Sequence, residues 1–178
     1  MPLDFGQPLN GIIQVAFVVE DIRQSIHHWL KTLHVGPWFL QERWAPAEAT
    51  YRQQPSTAEI AAALAFSGHT LIEFIQPLDD RPSVYREVIE QRGYGFHHIA
   101  CSSEDYHADV RRYEELGFPL AFQTRVPTGS LVGYMDTRSV LPGFTELIQS
   151  TVANERFFTG IHKAALGWDG TDPLRSFG

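Results

Sequence analysis

The chain has 178 residues, 43% of them apolar and 20% charged, which is the size and balance of one ordinary folded domain. A formal charge of -7 with no block of like charges argues against a nucleic-acid or anionic-membrane surface. The single cysteine, Cys101, excludes an internal disulfide framework and a cysteine-built metal cage. No stretch approaches the ~20 apolar residues of a spanning helix. MPLDFGQPLN has no secretory-signal features, and the expected compartment is the cytoplasm.

From Gln14 the chain reads QVAFVVEDIRQSIHHWL: an apolar strand, an acidic cap, then a helix with Ile22, Ile26 and Trp29 on one face. WFLQERW (38–44) and AEIAAALAF (58–66) read as strands, the latter against the helix propensity of its alanines. The polar segment between them, within ERWAPAEATYRQQPST, reads as a long excursion. LIEFIQ (71–76) is the next strand, and DRPSVYREVIEQRGYG (80–95) is a helix with Pro early and Gly after its end.

The pattern then repeats. HIACSSEDYHADVRRYE from His98 matches the stretch from Gln14 at an offset of 84, with Tyr106, Val110 and Tyr113 on the helical face. PLAFQTRV (119–126) and SLVGYMD (130–136) flank the turn Pro127-Thr128-Gly129, and FTELIQ (144–149) echoes LIEFIQ. VANERFFTGIHKAALGW is expected to form a C-terminal helix and DGTDPLRSFG a loop. Each half is thus strand–helix–strand–strand–strand. The expectation is an α+β fold in one domain over 1–178: a first βαβββ module at 11–78, a linking helix at 79–94, a second module at 95–150, and a C-terminal helix and tail at 151–178.

Each strand echo carries one polar residue at its centre, and ionised carboxylates are costly to bury unless paired or metal-bound. Strand alternation groups Gln14 with Ile12 and Ala16, Glu73 with Leu71 and Ile75, His98 with Phe96 and Ala100, and Glu146 with Phe144 and Ile148. The opposite faces carry Ile13, Val15, Phe17, Ile99 and Leu147, and by the same parity His97 and Cys101 face away from the polar set. If the halves pair about a pseudo-twofold axis, Gln14, Glu73, His98 and Glu146 converge. One imidazole, one amide oxygen and two carboxylates suit a single divalent ion, Zn, Ni, Co or Mn. The competing structural reading pairs Glu73 and Glu146 with arginines such as Arg52 or Arg125. Trp38, Tyr51, Phe122 and Tyr134 are the aromatics expected to line a substrate pocket.

On GIIQVAFVVED, LIEFIQPL, GFHHIACSSED and FTELIQ, the chain resembles the vicinal-oxygen-chelate superfamily (the glyoxalase, bleomycin resistance and dioxygenase group) over residues 11–150. The resemblance implies a cup-shaped mixed sheet around a metal held at Gln14, Glu73, His98 and Glu146. The ligand order is similar to glyoxalase I, whereas methylmalonyl-CoA epimerase more often has His first and Gln second.

The resemblance also implies a metal-dependent lyase or isomerase of the glyoxalase type, acting on a small carbonyl or hydroxy-carbonyl compound. Such an enzyme takes a proton next to the carbonyl and stabilises the resulting enediolate. Glu146 is the first candidate base and Glu73 the second. Family members are commonly homodimers. Two alternatives share the fold: a drug-sequestering binding protein and, ranked last, an extradiol dioxygenase, which normally wants two His and one carboxylate.

Overall fold

The computed structural model describes residues 3–46 and 48–177; Met1, Pro2, Ala47 and Gly178, which fall inside the expected domain limits, lie outside the described residues. The repeated acidic caps start the two equivalent helices. Asp21 caps α1 (Ile22–Leu33) by accepting from the Gln24 N–H, and Asp105 caps α3 (Tyr106–Glu115) by accepting from the Ala108 N–H. Each helix follows a long strand, β1 (Ile12–Val18) or β7 (Gly95–Ser103).

The first half continues through β2 (Trp38–Trp44), β5 (Ile60–Ser67) and β6 (Thr70–Pro77). The second continues through β8 (Leu120–Arg125), β9 (Leu131–Met135) and β10 (Phe144–Gln149). In the alanine-rich β5, Ala61, Ala63 and Ala65 are buried beneath α1, where small side chains let the helix approach. Packing on a half-buried sheet overrides their helix propensity. The linking helix α2 (Val84–Arg92) is capped by Ser83 and the C-terminal helix α4 (Val152–Ala165) by Thr151.

Two elements correct the sequence reading. The polar excursion is not a plain loop: it holds a hairpin of β3 (Ala49–Tyr51) and β4 (Gln54–Ser56). Its turn residues Arg52 and Gln53 both have left-handed backbone, φ 49° and 65°. Such turns usually announce themselves with Asn-Gly, so the sequence carried no hairpin signal. The expected C-terminal loop contains β11 (Leu174–Ser176), which pairs parallel with β2.

All eleven strands of the described residues form one sheet, in the order β11-β2-β5-β6-β1-β7-β10-β9-β8-β3-β4. The halves meet at the antiparallel pair β1–β7, while β1–β6 and β7–β10 are parallel. The β3 hairpin, although it belongs to the first half, pairs with β8 of the second. Helices α1 and α3 cover the outer face, on Trp38, Phe74 and Ala63 and on Met135 and Leu147 respectively. On the inner face, α2 brings Val84, Tyr85 and Val88 against Ala16, Ile75 and Phe144, and α4 brings Phe158 and Ile161 against Leu71, Ala100 and Ile148. The inner face is therefore packed by a helix at each end, with the four central polar residues between. No helix among the described residues is long and apolar enough to cross a membrane.

Candidate metal centre

Two register slips at the central seam decide which side chains face inward. In β1 the pairing with β7 slips between Ile12 and Gln14, and it slips again between Ala16 and Phe17, where β7 inserts His97. A bulge places two successive residues on the same side and reverses the parity beyond it. Ile13 accordingly packs with Leu3, Phe5 and Phe158, whereas Ile12, expected to face inward, is 51% exposed. Phe96, also expected inward, lies beside Phe17 of the outer face, ring centroids 6.4 Å apart. His97, expected to face away, is fully buried against Tyr85, Tyr134 and Phe144. The strict period of two was wrong at both bulges.

Between the bulges the alternation holds. Ala16 is paired with Glu73 on one side and His98 on the other, while Glu146 pairs with Ala100, itself the partner of Gln14. The side chains of all four candidate residues meet. His98 Nε2 lies 3.1 Å from Glu146 Oε2 and 3.5 Å from Glu73 Oε2. The Gln14 amide nitrogen is 2.9 Å from Glu73 Oε2, 3.3 Å from Glu146 Oε2 and 3.0 Å from His98 Nε2. One ligand atom each from Glu73, His98 and Glu146 lies within 4.8 Å of the others. Gln14, His98 and Glu146 are buried, and Glu73 keeps 16% of its side chain exposed.

This donor set is short of protons. Two N–H groups of one amide face three acceptor atoms, two of them on carboxylates. Burial drives Glu73 well above the usual carboxylate range, and the charge of Glu146 adds to it. Burial also lifts Glu146 to about 8, against an opposing pull from the Tyr134 hydroxyl, and pulls His98 down to about 3. One divalent cation would answer every part of this imbalance: it neutralises both carboxylates and binds the neutral imidazole. Gln14 then needs only to turn its amide so that Oε1 faces inward. The residues present fit such an ion.

Among the described residues, no arginine pairs with Glu73 or Glu146. Arg52 pairs with Glu87 and Asp136, and Arg125 donates to the Gly129 carbonyl. Of the aromatics expected to line a pocket, Tyr134 lies nearest, its ring 4.8 Å from that of His98. Phe122 packs 5.5 Å from Tyr134, and Tyr51 donates its hydroxyl to Glu87 Oε1 at 2.5 Å beside the same inner cluster. Trp38 does not belong there: it is buried on the outer face, stacked on Phe74, and its indole N–H donates to the Val35 carbonyl. Its neighbour Phe39, paired with Leu64 beside Glu73, takes the inner position, which alternation along β2 would have found. Tyr85, whose hydroxyl is 3.4 Å from that of Tyr134, had no local signal, since nothing in the helix sequence says which face of the sheet it covers. A groove of about 750 Å³ lies across the sheet, lined by Phe17, His27, Trp29, Phe74 and Tyr94, away from the polar cluster.

The sequence pattern of the Glyoxalase/Bleomycin resistance protein/Dioxygenase superfamily matches residues 13–134. No curated protein matches the chain. Solved structures share its fold. Methylmalonyl-CoA epimerase from Mycobacterium tuberculosis is 20% identical, with 80% of this chain and 89% of that one covered and a TM-score of 0.58. A hypothetical protein from Bacillus halodurans is 19% identical, with 79% and 94% covered and a TM-score of 0.59. A Streptomyces coelicolor methylmalonyl-CoA epimerase variant, in complex with 2-nitronate-propionyl-CoA, is 16% identical, with 82% and 98% covered and a TM-score of 0.57.

Proposed function

The chain belongs to the glyoxalase/bleomycin resistance protein/dioxygenase superfamily, and on that premise we propose that it is a metal-dependent isomerase or lyase that moves a proton next to a carbonyl. The observation that carries this reading is the meeting of Glu73 and Glu146 at His98 Nε2, 3.5 and 3.1 Å away, inside an apolar cup. Gln14, Glu73, His98 and Glu146 would hold one divalent ion, Zn, Ni, Co or Mn. Bound there, the ion would supply Lewis-acid polarisation of a substrate carbonyl oxygen.

The chain's own groups supply the rest. Glu146 takes the proton from the carbon beside the carbonyl, and the electron pair of the broken C–H bond moves toward the carbonyl oxygen. Burial alone favours the protonated form of Glu146 and so makes its carboxylate more basic, whereas contact with the cation would pull the other way. Glu73, the more open carboxylate, is the second acid–base group. Delivery of a proton by Glu73 to the opposite face of the same carbon gives an epimer, and delivery to the neighbouring carbon of an α-hydroxy-carbonyl compound gives an isomer. Tyr134, Phe122 and Tyr51 form the aromatic wall against which an acyl or aryl group packs, and the surrounding side chains exclude water from the reacting carbon.

The epimerase fold neighbours act by an isomerase-type reaction, which agrees with this class, and a CoA ester is therefore one substrate form to test beside free hydroxy-carbonyl compounds. Two histidines and one carboxylate would favour dioxygenase chemistry, but the cluster here has one histidine and two carboxylates. The test is solvent-deuterium exchange into α-hydroxy-carbonyl compounds and acyl-CoA esters, followed by NMR with wild type and Glu146→Gln. Exchange in the wild type that is lost in the variant supports the reading. Tight binding of a small apolar molecule with no exchange into any compound would instead favour a sequestering protein.

A further inference from the structure

The buried histidine next to the proposed ligand has a hydrogen-bond pattern that fixes protons. His97 Nε2 is 3.2 Å from the Val84 carbonyl oxygen, and His97 Nδ1 is 2.8 Å from His98 Nδ1. A carbonyl oxygen only accepts, so His97 Nε2 carries the hydrogen. In a neutral imidazole the other nitrogen is then a bare acceptor, and the ring is fully buried with Tyr85, Tyr134, Phe144 and His98 as its ring neighbours and no carboxylate bonded to it. The short Nδ1–Nδ1 contact therefore needs its hydrogen from His98. With Nδ1 of His98 protonated, its Nε2 holds a bare lone pair, and that lone pair points at Gln14, Glu73 and Glu146.

We propose that His97 is a positioning residue that sets the tautomer and ring angle of His98, relaying from the Val84 carbonyl on the linking helix so that Nε2 is always offered to the cation. The role rests on the cation-site reading only for its purpose; the proton order itself follows from the chain alone. Three features of the fold build the relay. The β7 bulge turns His97 inward beside His98 instead of away from it. The start of α2 brings the Val84 carbonyl to the ring. The ion pairs of Glu87 with Arg52 and Arg138 hold that helix to the hairpin and to the segment after β9. Without the relay, His98 is free to carry its hydrogen on Nε2, where it blocks the cation and bonds Glu146 instead.

The experiment uses the full chain stripped of metal, with histidine ring nitrogens labelled, in wild type, His97→Phe and His97→Asn. Phe keeps a ring in the cavity and removes the acceptor; Asn restores an oxygen near the place of Nδ1. Nitrogen NMR of the metal-free wild type should show His98 with its hydrogen on Nδ1, moved wholly or partly to Nε2 in His97→Phe and returned in His97→Asn. Titration with Co(II) by calorimetry should show affinity lower by about 10- to 100-fold in His97→Phe, with most of it recovered in His97→Asn. A wild-type His98 protonated on Nε2, or a tautomer unchanged in His97→Phe, overturns the relay. A correct tautomer order in a wild type that takes up no Co(II) leaves the relay standing and overturns the cation site, so the two failures are distinct. Thermal melting of each variant identifies a loss caused by misfolding, and in that event the wild-type tautomer alone decides.

Discussion

Glu73 and Glu146 occupy matching strands of the two halves, and both direct Oε2 at the same atom, Nε2 of His98, from 3.5 and 3.1 Å. The internal repeat thus brings two negative side chains to one buried point. Their burial is unequal, 16% of the Glu73 side chain being exposed against 6% for Glu146, and this difference separates their expected roles.

Replacing Glu146 by Gln keeps its volume and an oxygen for coordination while removing the base. The expected outcome is a loss of at least about 100-fold in proton exchange with cation binding weakened less than in Glu146→Ala. Parallel measurement of exchange rate and Co(II) affinity checks this. Equal losses in both quantities would assign Glu146 to cation binding alone and move the base to Glu73.

The metal-free protein should lose stability as pH rises above neutrality. Burial raises Glu146 from 4.5 to about 8, so the folded state holds an extra proton across that interval and stability falls as pH climbs through it. Burial lowers His98 from 6.5 to about 3, which costs stability as pH falls below 6.5. The two slopes oppose each other between 4.5 and 6.5, and above 6.5 only the carboxyl effect remains. Melting in excess chelator should therefore give a lower Tm at about pH 8 than at pH 6.5, and a bound divalent ion should reduce the difference. A flat or rising Tm would show that the carboxyls are not protonated in the folded apo-protein.

Much of this organisation was legible in the chain. The echo of LIEFIQ in FTELIQ and the repeated Glu-Asp caps revealed two modules, because capping and alternation are local effects. The inward set Gln14, Glu73, His98 and Glu146 followed from alternation, and the structure brings all four together. What was hidden depended on other strands. The bulge at His97 exists only in the pairing of β7 with β1, and Trp38 joined the outer face because α1 packs there. The β3 hairpin was invisible because Arg52 and Gln53 fill positions where Asn and Gly are the usual signal.

The hairpin turn owes its place to Glu87, which accepts from Arg52 through both carboxylate oxygens at 2.8 Å and also from Tyr51. Glu87→Ala leaves three donors, Tyr51, Arg52 and Arg138, short of a partner and should destabilise the fold by about 2 kcal/mol. Arg52→Ala should cost about 1 kcal/mol, being the more exposed member. Urea unfolding of both variants checks the order, and an indistinguishable pair would mean the network is replaceable by water.

Gly143 precedes β10 where an added Cβ would come within 2.4 Å of the His97 carbonyl oxygen and 2.6 Å of the Phe96 ring. Backbone cannot move away cheaply there, so Gly143→Ala should shift the bulge and lower both Tm and Co(II) affinity. Gly160→Ala, which meets nothing within 4 Å on α4, should be neutral or slightly stabilising. Melting curves of the two variants compare them directly.

The most direct test of the whole account is the metal content of untagged protein prepared without chelator, measured by mass spectrometry beside Glu73→Ala, His98→Ala and Glu146→Ala. One transition-metal ion per chain is expected, retained in the wild type and lost in each variant that still folds. A wild type that holds no metal, even after incubation with Zn, Ni, Co and Mn, would contradict that expectation.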